Sequence, residues 1–274
     1  MILFLAQLLD ITVNNGTLSK DCKKAVAVSI HKGGNRSSAK NYMPISLTSV
    51  VCKSMEHVIA ECLRQMWEDS DWLYEGQHGF RKGFSCESQI ITVCQDISNA
   101  LDESTRLDAI IIDFSIAFDL VPHDRLLKKM ADSGVDLRVV VWIGEFLGGR
   151  CQRVRVGTHY SEEGRVVSGV PQESVLGPLL FLAYVNDISR NIESKIRLFA
   201  DDCIVYRKIL NPKDVEILQA DLNRLWEWAD ENEMKINPNK SQALSFTRAW
   251  AKVQLNYPLG ANQSPKLTVV NIWE

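Results

Sequence analysis

The chain has 274 residues, 46% of them hydrophobic and 24% charged, with a net charge of −3. These values are typical of a soluble globular protein with one or two domains, and the charge excludes a uniformly basic chain of the kind that binds polyanions over its whole surface. The apolar run 175–185 is too short to span a bilayer, so we expect no membrane partner. The apolar residues 1–9 lack the basic start and the cleavage site of a signal peptide.

The predicted elements begin with a helix over 1–11 and a strand over 25–30, followed by a basic segment. That segment either faces phosphate or is simply solvated. Helices follow Ser49 and Ser85, and the second is predicted to turn Ile90, Ile91 and Cys94 inward, together with Ile97 and Leu101. Later elements are predicted as follows: strand 107–114, helix 123–131, strands 150–156 and 165–168, helix 174–192, strands 196–200 and 203–206, helix from 212, and strand 243–246.

The cysteines and histidines do not suggest a zinc site. The seven cysteines contain no Cys-x-x-Cys pair, and the spacing of the five histidines does not match a zinc motif. The odd number of scattered cysteines predicts reduced thiols in a reducing, intracellular compartment.

Two adjacent carboxylates, Asp201 and Asp202, lie between two short apolar runs that are predicted to form a hairpin. An ordinary turn also explains this pair taken alone. A second acidic strand end occurs at Asp113, after three isoleucines. If the strands pair, three carboxylates meet at one edge, where two at 4 Å repel by roughly 4 kcal/mol at an effective dielectric of 20. Hard divalent cations such as Mg²⁺ would neutralise such a cluster.

A glycine-rich loop over 76–85 contains Arg81, Lys82 and two phenylalanines. Such a loop suits close approach to a polyanion backbone and to base faces. A plain glycine-rich connector is an equally good interpretation of this stretch.

Six motifs in fixed order resemble the reverse transcriptase domain of non-LTR, jockey-like retrotransposons, over roughly residues 2–250. They are Asn-Tyr-Met-Pro-Ile-Ser-Leu at 41–47, Gln-His-Gly-Phe-Arg-Lys-Gly at 77–83, Asp-Phe-Ser-Ile-Ala-Phe-Asp at 113–119, Gly-Val-Pro-Gln at 169–172 with Ser-Val-Leu-Gly-Pro at 174–178, Phe-Ala-Asp-Asp at 199–202, and Asn237 with Lys240.

The resemblance implies an α+β right-hand polymerase with fingers and an antiparallel palm sheet packed on helices. Residues 1–105 would form the fingers, with 134–165 returning to the fingers and palm border. Residues 106–133 and 166–250 would form the palm. Residues 251–274 would be a truncated tail towards a missing or incomplete thumb.

The resemblance also implies a chemistry, namely RNA-directed DNA synthesis with two Mg²⁺ ions, for which Mn²⁺ is a possible substitute. The expected partners are an RNA template, a DNA primer and deoxynucleoside triphosphates, and the expected location is the cytoplasm and nucleus. Asp113, Asp201 and Asp202 would be catalytic and hold the metals, with the backbone carbonyl of Phe114 as a further ligand. Lys240 could protonate pyrophosphate, although such a lysine is usually just solvated.

Two further groups of residues follow from the same resemblance. Phe114, Phe118 and Gln172 would contact the nucleotide, with the Phe118 ring excluding a 2′-hydroxyl. Without the resemblance, Phe118 would be interpreted as a core residue. Arg81 and Lys82 would face the template strand.

The chain departs from the family pattern at three positions. Met43 replaces an arginine that could grip triphosphate, Glu173 replaces a glycine, and Ile116 replaces a lysine. These changes predict an impaired polymerase, or alternatively an inactive nucleic-acid-binding remnant of a mobile element. A two-metal nuclease is a weaker option, supported by the carboxylates alone.

Overall fold

A computed structural model describes residues 2–248, 257–259 and 268–272, without side-chain detail for 2–5, 40 and 268–272. The chain forms two compact units, one from Met1–Trp72 and Phe118–Tyr184, the other from Leu73–Ala117 and Val185–Glu274. These bounds describe compactness alone, so the assignment of fingers and palm stays a prediction.

The first unit contains a mixed sheet and most of the helices in the described part of the chain. Its strands are β1 (Lys24–His31), β2 (Tyr42–Leu47), β5 (Cys151–Val156), β6 (His159–Tyr160) and β7 (Gly164–Arg165). Its helices are α1 (Ile2–Asn15), α2 (Val50–Asp69), α4 (Ala117–Leu120), α5 (His123–Asp132), α6 (Leu137–Leu147) and α7 (Leu176–Val185), of which α4 and α7 each cross a unit boundary by one residue. β1 pairs antiparallel with β2 and parallel with β5.

The second unit is built on an antiparallel sheet with one parallel edge. It contains α3 (Cys86–Asp102), β3 (Arg106–Ile112), β4 (Phe114–Ser115), β8 (Lys195–Phe199), β9 (Asp202–Ile209), α8 (Pro212–Glu231), β10 (Lys235–Ile236), β11 (Gln242–Phe246) and β12 (Thr268–Ile272). The strand order is β12-β11-β3-β9-β8, and β4 pairs separately with β10. β3 is therefore the central strand, hydrogen-bonded on both sides.

The apolar runs predicted as strands become the core of this sheet. Ala109, Ile110 and Ile112 on β3 are fully buried. Val93, Ile97 and Ala100 of α3 pack on one face of the sheet, against Leu107 and Ala109 of β3. This α+β architecture confirms the predicted fold class.

Two predictions about helices were wrong. Ile90, Ile91 and Cys94 are exposed, because α3 turns Gln89, Val93 and Ala100 inward instead. The predicted helix 174–192 is only Leu176–Val185. Beyond Val185 the chain makes successive short turns, and Asn191 adopts a left-handed φ of 63° that no helix accommodates.

Other helix boundaries follow the sequence closely. Asn211 caps α8 through a capping box with Asp214, and Ser85 caps α3 in the same way with Ser88. Asp136 caps α6 by accepting a hydrogen bond from the Arg138 amide. The seven cysteines, all of them within the described residues, are free thiols. Among the described residues, no helix is both long enough and apolar enough to cross a membrane.

Candidate active site

Strand pairing brings the three predicted carboxylates to one end of the sheet in the second unit. β8 and β9 form the predicted hairpin, with Phe199 opposite Asp202 and a two-residue turn of Ala200 and Asp201 between them. β3 runs antiparallel to β9, and its last residue, Ile112, lies opposite Cys203. Asp113, one residue further along, therefore lies beside Asp202. The hydrogen-bonded ladder that runs from Arg106 opposite Ile209 to Ile112 opposite Cys203 defines this register.

The pKa values of this cluster reflect burial first and mutual repulsion second. Burial raises the pKa of Asp201, and the charges of Asp202 and Asp113 raise it further. Burial, followed by the charge of Asp113, raises the pKa of Asp202 in the same way. The exposed Lys240 ammonium lowers both values and lies 3.5 Å from Asp113 Oδ1. The cluster thus has an excess of negative charge that one lysine offsets in part.

The oxygen donors of this cluster suit a hard cation. Asp113 Oδ2 is buried and, within the described part of the chain, has no hydrogen-bond partner. A buried carboxylate oxygen in that state is costly unless a cation or a donor approaches it. Across residues 2–248, 257–259 and 268–272, however, no group of three or more His, Cys, Asp or Glu side chains is already arranged to bind a metal ion.

A tight turn fixes the backbone of Asp113. The Asn237 amide donates to the Asp113 carbonyl at 2.7 Å, and the Asp113 amide donates to Ser241 Oγ at 3.2 Å. Ser241 Oγ in turn donates to the Asn237 carbonyl, which closes the turn that carries Lys240. Sequence reasoning found Asn237 and Lys240 but missed Ser241, since a buried serine after a turn gives no distinctive signal.

Phe114 is held immediately after this aspartate. Its backbone pairs with Ile236, and its buried ring meets Trp228 edge to face, with ring centroids 6.4 Å apart. The side chains of Phe114 and Trp228 therefore both have a packing role.

The glycine-rich loop also belongs to the second unit. Arg81 Nη1 donates to the Tyr74 carbonyl at 3.0 Å, and its guanidinium lies over the Phe84 ring at 4.8 Å, while Lys82 is exposed. His78 is buried against Phe84 and Ser88, and burial lowers its pKa, which favours the neutral imidazole.

Phe118 and Gln172, the remaining predicted nucleotide contacts, lie in the first unit. Phe118 stacks on the buried Phe181 with ring centroids 4.3 Å apart. Gln172 Nε2 donates to Asp119 Oδ1 at 3.0 Å, and burial raises the pKa of Asp119. A cavity of about 260 Å³ lies here, with Asp119, Gln172 and Arg165 among its lining residues.

The loop that carries Gln172 is attached to the segment that carries Phe118. The Val170 amide donates to the Phe118 carbonyl and the Gly169 amide to the Val121 carbonyl, both at 2.8 Å. His123 Nε2 contacts the Gly169 carbonyl at 2.8 Å, which gives His123 the structural role that the sequence favours. Glycine is required at 169, because a Cβ there would come 2.7 Å from the Asp119 backbone.

A buried glutamate that sequence reasoning missed secures the other end of this loop. Glu56, on α2, is fully buried, and its Oε2 accepts hydrogen bonds from the amides of Val175 and Leu176 at 2.8 and 3.2 Å. It therefore caps the N-terminus of α7 from a distant helix. In the sequence, only the position of Glu56 among the apolar residues of α2 could have indicated that it is buried.

Comparison with known proteins defines the class. The fold resembles that of a solved telomerase from Candida tropicalis, with a TM-score of 0.59 and 11% identity over 87% of this chain and 52% of that one. The chain therefore has a polymerase fingers and palm fold. The family profile described as reverse transcriptase (RNA-dependent DNA polymerase) matches residues 30–267. The chain belongs to that family.

Its relatives in Drosophila melanogaster are mobile-element polymerases, which confirms the predicted resemblance. The chain is 31% identical to a probable RNA-directed DNA polymerase from transposon BS, over 90% of this chain and 28% of the relative. It is 32% identical to a probable RNA-directed DNA polymerase from transposon X-element, over 82% and 25%. It is 27% identical to the RNA-directed DNA polymerase from mobile element jockey, over 89% and 28%. The chain thus spans about a quarter of the length of these relatives.

Proposed function

We propose that this chain catalyses RNA-directed DNA synthesis, extending a DNA primer along an RNA template with deoxynucleoside triphosphates. The observation that carries the proposal is the register of β3 with β9, which sets Asp113 beside the turn of Asp201 and Asp202. Membership of the reverse transcriptase family supports the same reaction. The proposed location follows from these substrates and is the cytoplasm and nucleus.

Asp113, Asp201 and Asp202 would hold two Mg²⁺ ions, or Mn²⁺ as a substitute, with the Phe114 carbonyl as a further ligand. Bound there, such ions would lower the pKa of a primer 3′-hydroxyl and would stabilise the charge of the leaving pyrophosphate. The orphaned Asp113 Oδ2 supports this assignment, because it is a buried acceptor without a donor in the described structure. Lys240, whose exposed side chain places its ammonium 3.5 Å from Asp113 Oδ1, is the group we assign to proton donation to pyrophosphate.

The remaining roles rest on side chains held in fixed positions. Phe118 is kept rigid by its stack on Phe181, which suits a ring that must exclude a 2′-hydroxyl. Gln172 has its amide oriented by Asp119, which suits a contact with a nucleotide. Arg81 and Lys82 supply positive charge for the template backbone.

Primer extension tests the proposal directly. Purified protein is incubated with an RNA template, an annealed DNA primer, deoxynucleoside triphosphates and Mg²⁺. We expect extension that stops when Mg²⁺ is chelated and that declines when ribonucleoside triphosphates replace the deoxy forms. Failure to extend any primer with either Mg²⁺ or Mn²⁺ would reject the proposal.

The alternative function, an inactive nucleic-acid-binding remnant, is favoured by one observation. Glu173 lies at a left-handed φ of 63°, the region that favours the glycine found there in the family, and it follows Gln172 directly. A remnant would bind an RNA–DNA hybrid with an affinity that falls as salt rises, and would leave the primer unextended.

Replacing Glu173 with glycine should raise both the free energy of unfolding and the rate of primer extension. Relief of the left-handed strain, about 1–2 kcal/mol, exceeds the entropy cost of glycine, about 0.4–1 kcal/mol, so we expect a gain of about 1 kcal/mol in the free energy of unfolding. Removing a carboxylate near phosphate should also increase extension, and more so when Met43→Arg is added.

Asp71→Gly is the matched control for this substitution. Asp71 is another acidic residue of the first unit at positive φ, 49°, and because aspartate tolerates this conformation better than glutamate, its replacement should give a smaller gain in stability and no gain in rate. Urea denaturation and primer extension measure the two effects. An Asp71→Gly rate as high as that of Glu173→Gly would contradict the specific role of position 173.

A further inference from the structure

A single buried glutamine of the glycine-rich loop holds the turn that precedes the two aspartates. Gln77 Oε1 accepts hydrogen bonds from the Ala200 amide at 2.9 Å and from the Gly79 amide at 2.8 Å. Gln77 Nε2 donates to the Ala200 carbonyl at 3.2 Å. One side-chain amide thus satisfies both backbone groups of Ala200.

Ala200 depends on such support because its backbone is strained. Its φ is +57°, a left-handed conformation that residues with a Cβ rarely adopt, and the residue is 93% buried. Buried backbone amides and carbonyls need partners, and a strained residue persists only where its surroundings fix it. Since Ala200 directly precedes Asp201, its conformation sets the direction in which both carboxylates leave the turn.

The rest of the loop follows the hairpin closely. The His78 amide donates to the Leu198 carbonyl, and the Leu198 amide donates to the Gly76 carbonyl, both at 2.8 Å. Gly79 lies so close to the turn that a Cβ there would come 2.2 Å from the Ala200 nitrogen. Gln77 therefore extends the edge of the sheet beside β8, and its side chain reaches over the end of that strand.

We propose that Gln77 is a positioning residue for Asp201 and Asp202, and that it makes the loop bearing Arg81 and Lys82 a single rigid piece with the carboxylate turn. The inference rests on the proposed polymerase function, in which these aspartates bind metal. It assigns the motif Gln-His-Gly-Phe-Arg-Lys a second role besides template contact. A change at the template-facing residues is thereby transmitted to the metal ligands through the Gln77 amide.

The test compares Gln77→Met with Tyr206→Phe. Methionine keeps the length of the side chain but loses every hydrogen bond to Ala200. Tyr206→Phe removes one partly buried hydrogen bond, 2.6 Å to Asp96, from β9 away from the turn, and so controls for general loosening of the hairpin. The probe is Mn²⁺ binding, followed by electron paramagnetic resonance of the free ion without nucleic acid or nucleotide.

We expect Gln77→Met to weaken Mn²⁺ binding by about 10-fold to 100-fold, as losses of outer-shell support do, and Tyr206→Phe to change it by less than about twofold. In primer extension, Gln77→Met should lower kcat while the KM for deoxynucleotide stays within about twofold. Unchanged Mn²⁺ affinity in Gln77→Met would overturn the inference. Where the methionine variant does not fold, Gln77→Asn gives the same readout, since it keeps the amide but shortens its reach.

Rescue separates positioning from mere packing. Glycine adopts the left-handed conformation without strain, so Ala200→Gly added to Gln77→Met should recover part of the Mn²⁺ affinity. Additive loss in the double variant would contradict the inference. The inference alone is rejected if the unchanged chain extends primers, Asp201→Asn loses Mn²⁺ binding, and Gln77→Met keeps both Mn²⁺ binding and primer extension. A chain that neither binds Mn²⁺ nor extends primers would reject the proposed function with it.

Discussion

Asp201→Asn is expected to reduce primer extension by about 10³-fold, the largest functional effect that the structure predicts. The substitution keeps the shape of the side chain but removes one of the three charges that would hold the cations. Losing several kcal/mol of metal-based transition-state stabilisation corresponds to about a thousandfold in rate. Because burial and neighbouring charges already raise the pKa of Asp201, the neutral amide should leave the fold intact and even relieve repulsion.

The measurement is single-turnover extension of an annealed primer at saturating Mg²⁺, with circular dichroism as the check on folding. Asp230→Asn is the control, because Asp230 is an exposed aspartate on α8 in the same unit. Full activity in Asp201→Asn would remove the basis for the polymerase assignment. A parallel loss in Asp230→Asn would show that the effect is not specific to the carboxylate turn.

Asp108→Ala is expected to be the most destabilising of the substitutions considered, at about 3 kcal/mol. Asp108 is fully buried on β3 and accepts hydrogen bonds from Arg106 at 2.9 Å, from Ser245 at 2.7 Å and from Tyr257 at 2.7 Å. Alanine would leave the two hydroxyls buried without an acceptor and a partly buried arginine without its counter-charge. Breaking buried pairs from one side costs several kcal/mol.

Thermal unfolding followed by circular dichroism measures this cost, with an expected fall in Tm of about 6–12 °C. Asp102→Ala is the control, because Asp102 makes an ion pair with Arg248 in which both side chains are about two-thirds exposed. Such a pair contributes less than about 1 kcal/mol. Equal losses in the two variants would contradict the importance of burial at Asp108.

The parts of the site that the sequence predicts are those decided by local patterns. Short runs of apolar and β-branched residues over 107–112 and 203–206 predict strands, and an acidic residue at each strand end predicts where carboxylates gather. The pairing of β3 with β9 confirms that juxtaposition. The order of the motifs identified the family for the same reason, since each motif is contiguous in the chain.

The parts that the sequence does not predict depend on partners far away in the chain. The Gln77 side chain bonds to Ala200, 123 positions later, and no local pattern distinguishes it from a loop glutamine. Glu56 caps a helix 119 positions away. The inward face of α3 was misjudged because Ile90 and Ile91 are as apolar as Val93 and Ile97, and only packing on β3 decides between them.

The central place of β3 has a consequence for which substitutions the chain can accumulate and still fold. The strand is hydrogen-bonded on both flanks, and Ala109, Ile110 and Ile112 are at most 1% exposed, so any change there threatens folding itself. Position 173, by contrast, lies in a loop, where a substitution disturbs the backbone locally. Copying competence and the alignment of residue 113 are therefore maintained by different constraints. Under the proposed function, a substitution at position 173 therefore affects activity without disturbing the strand that leads to Asp113.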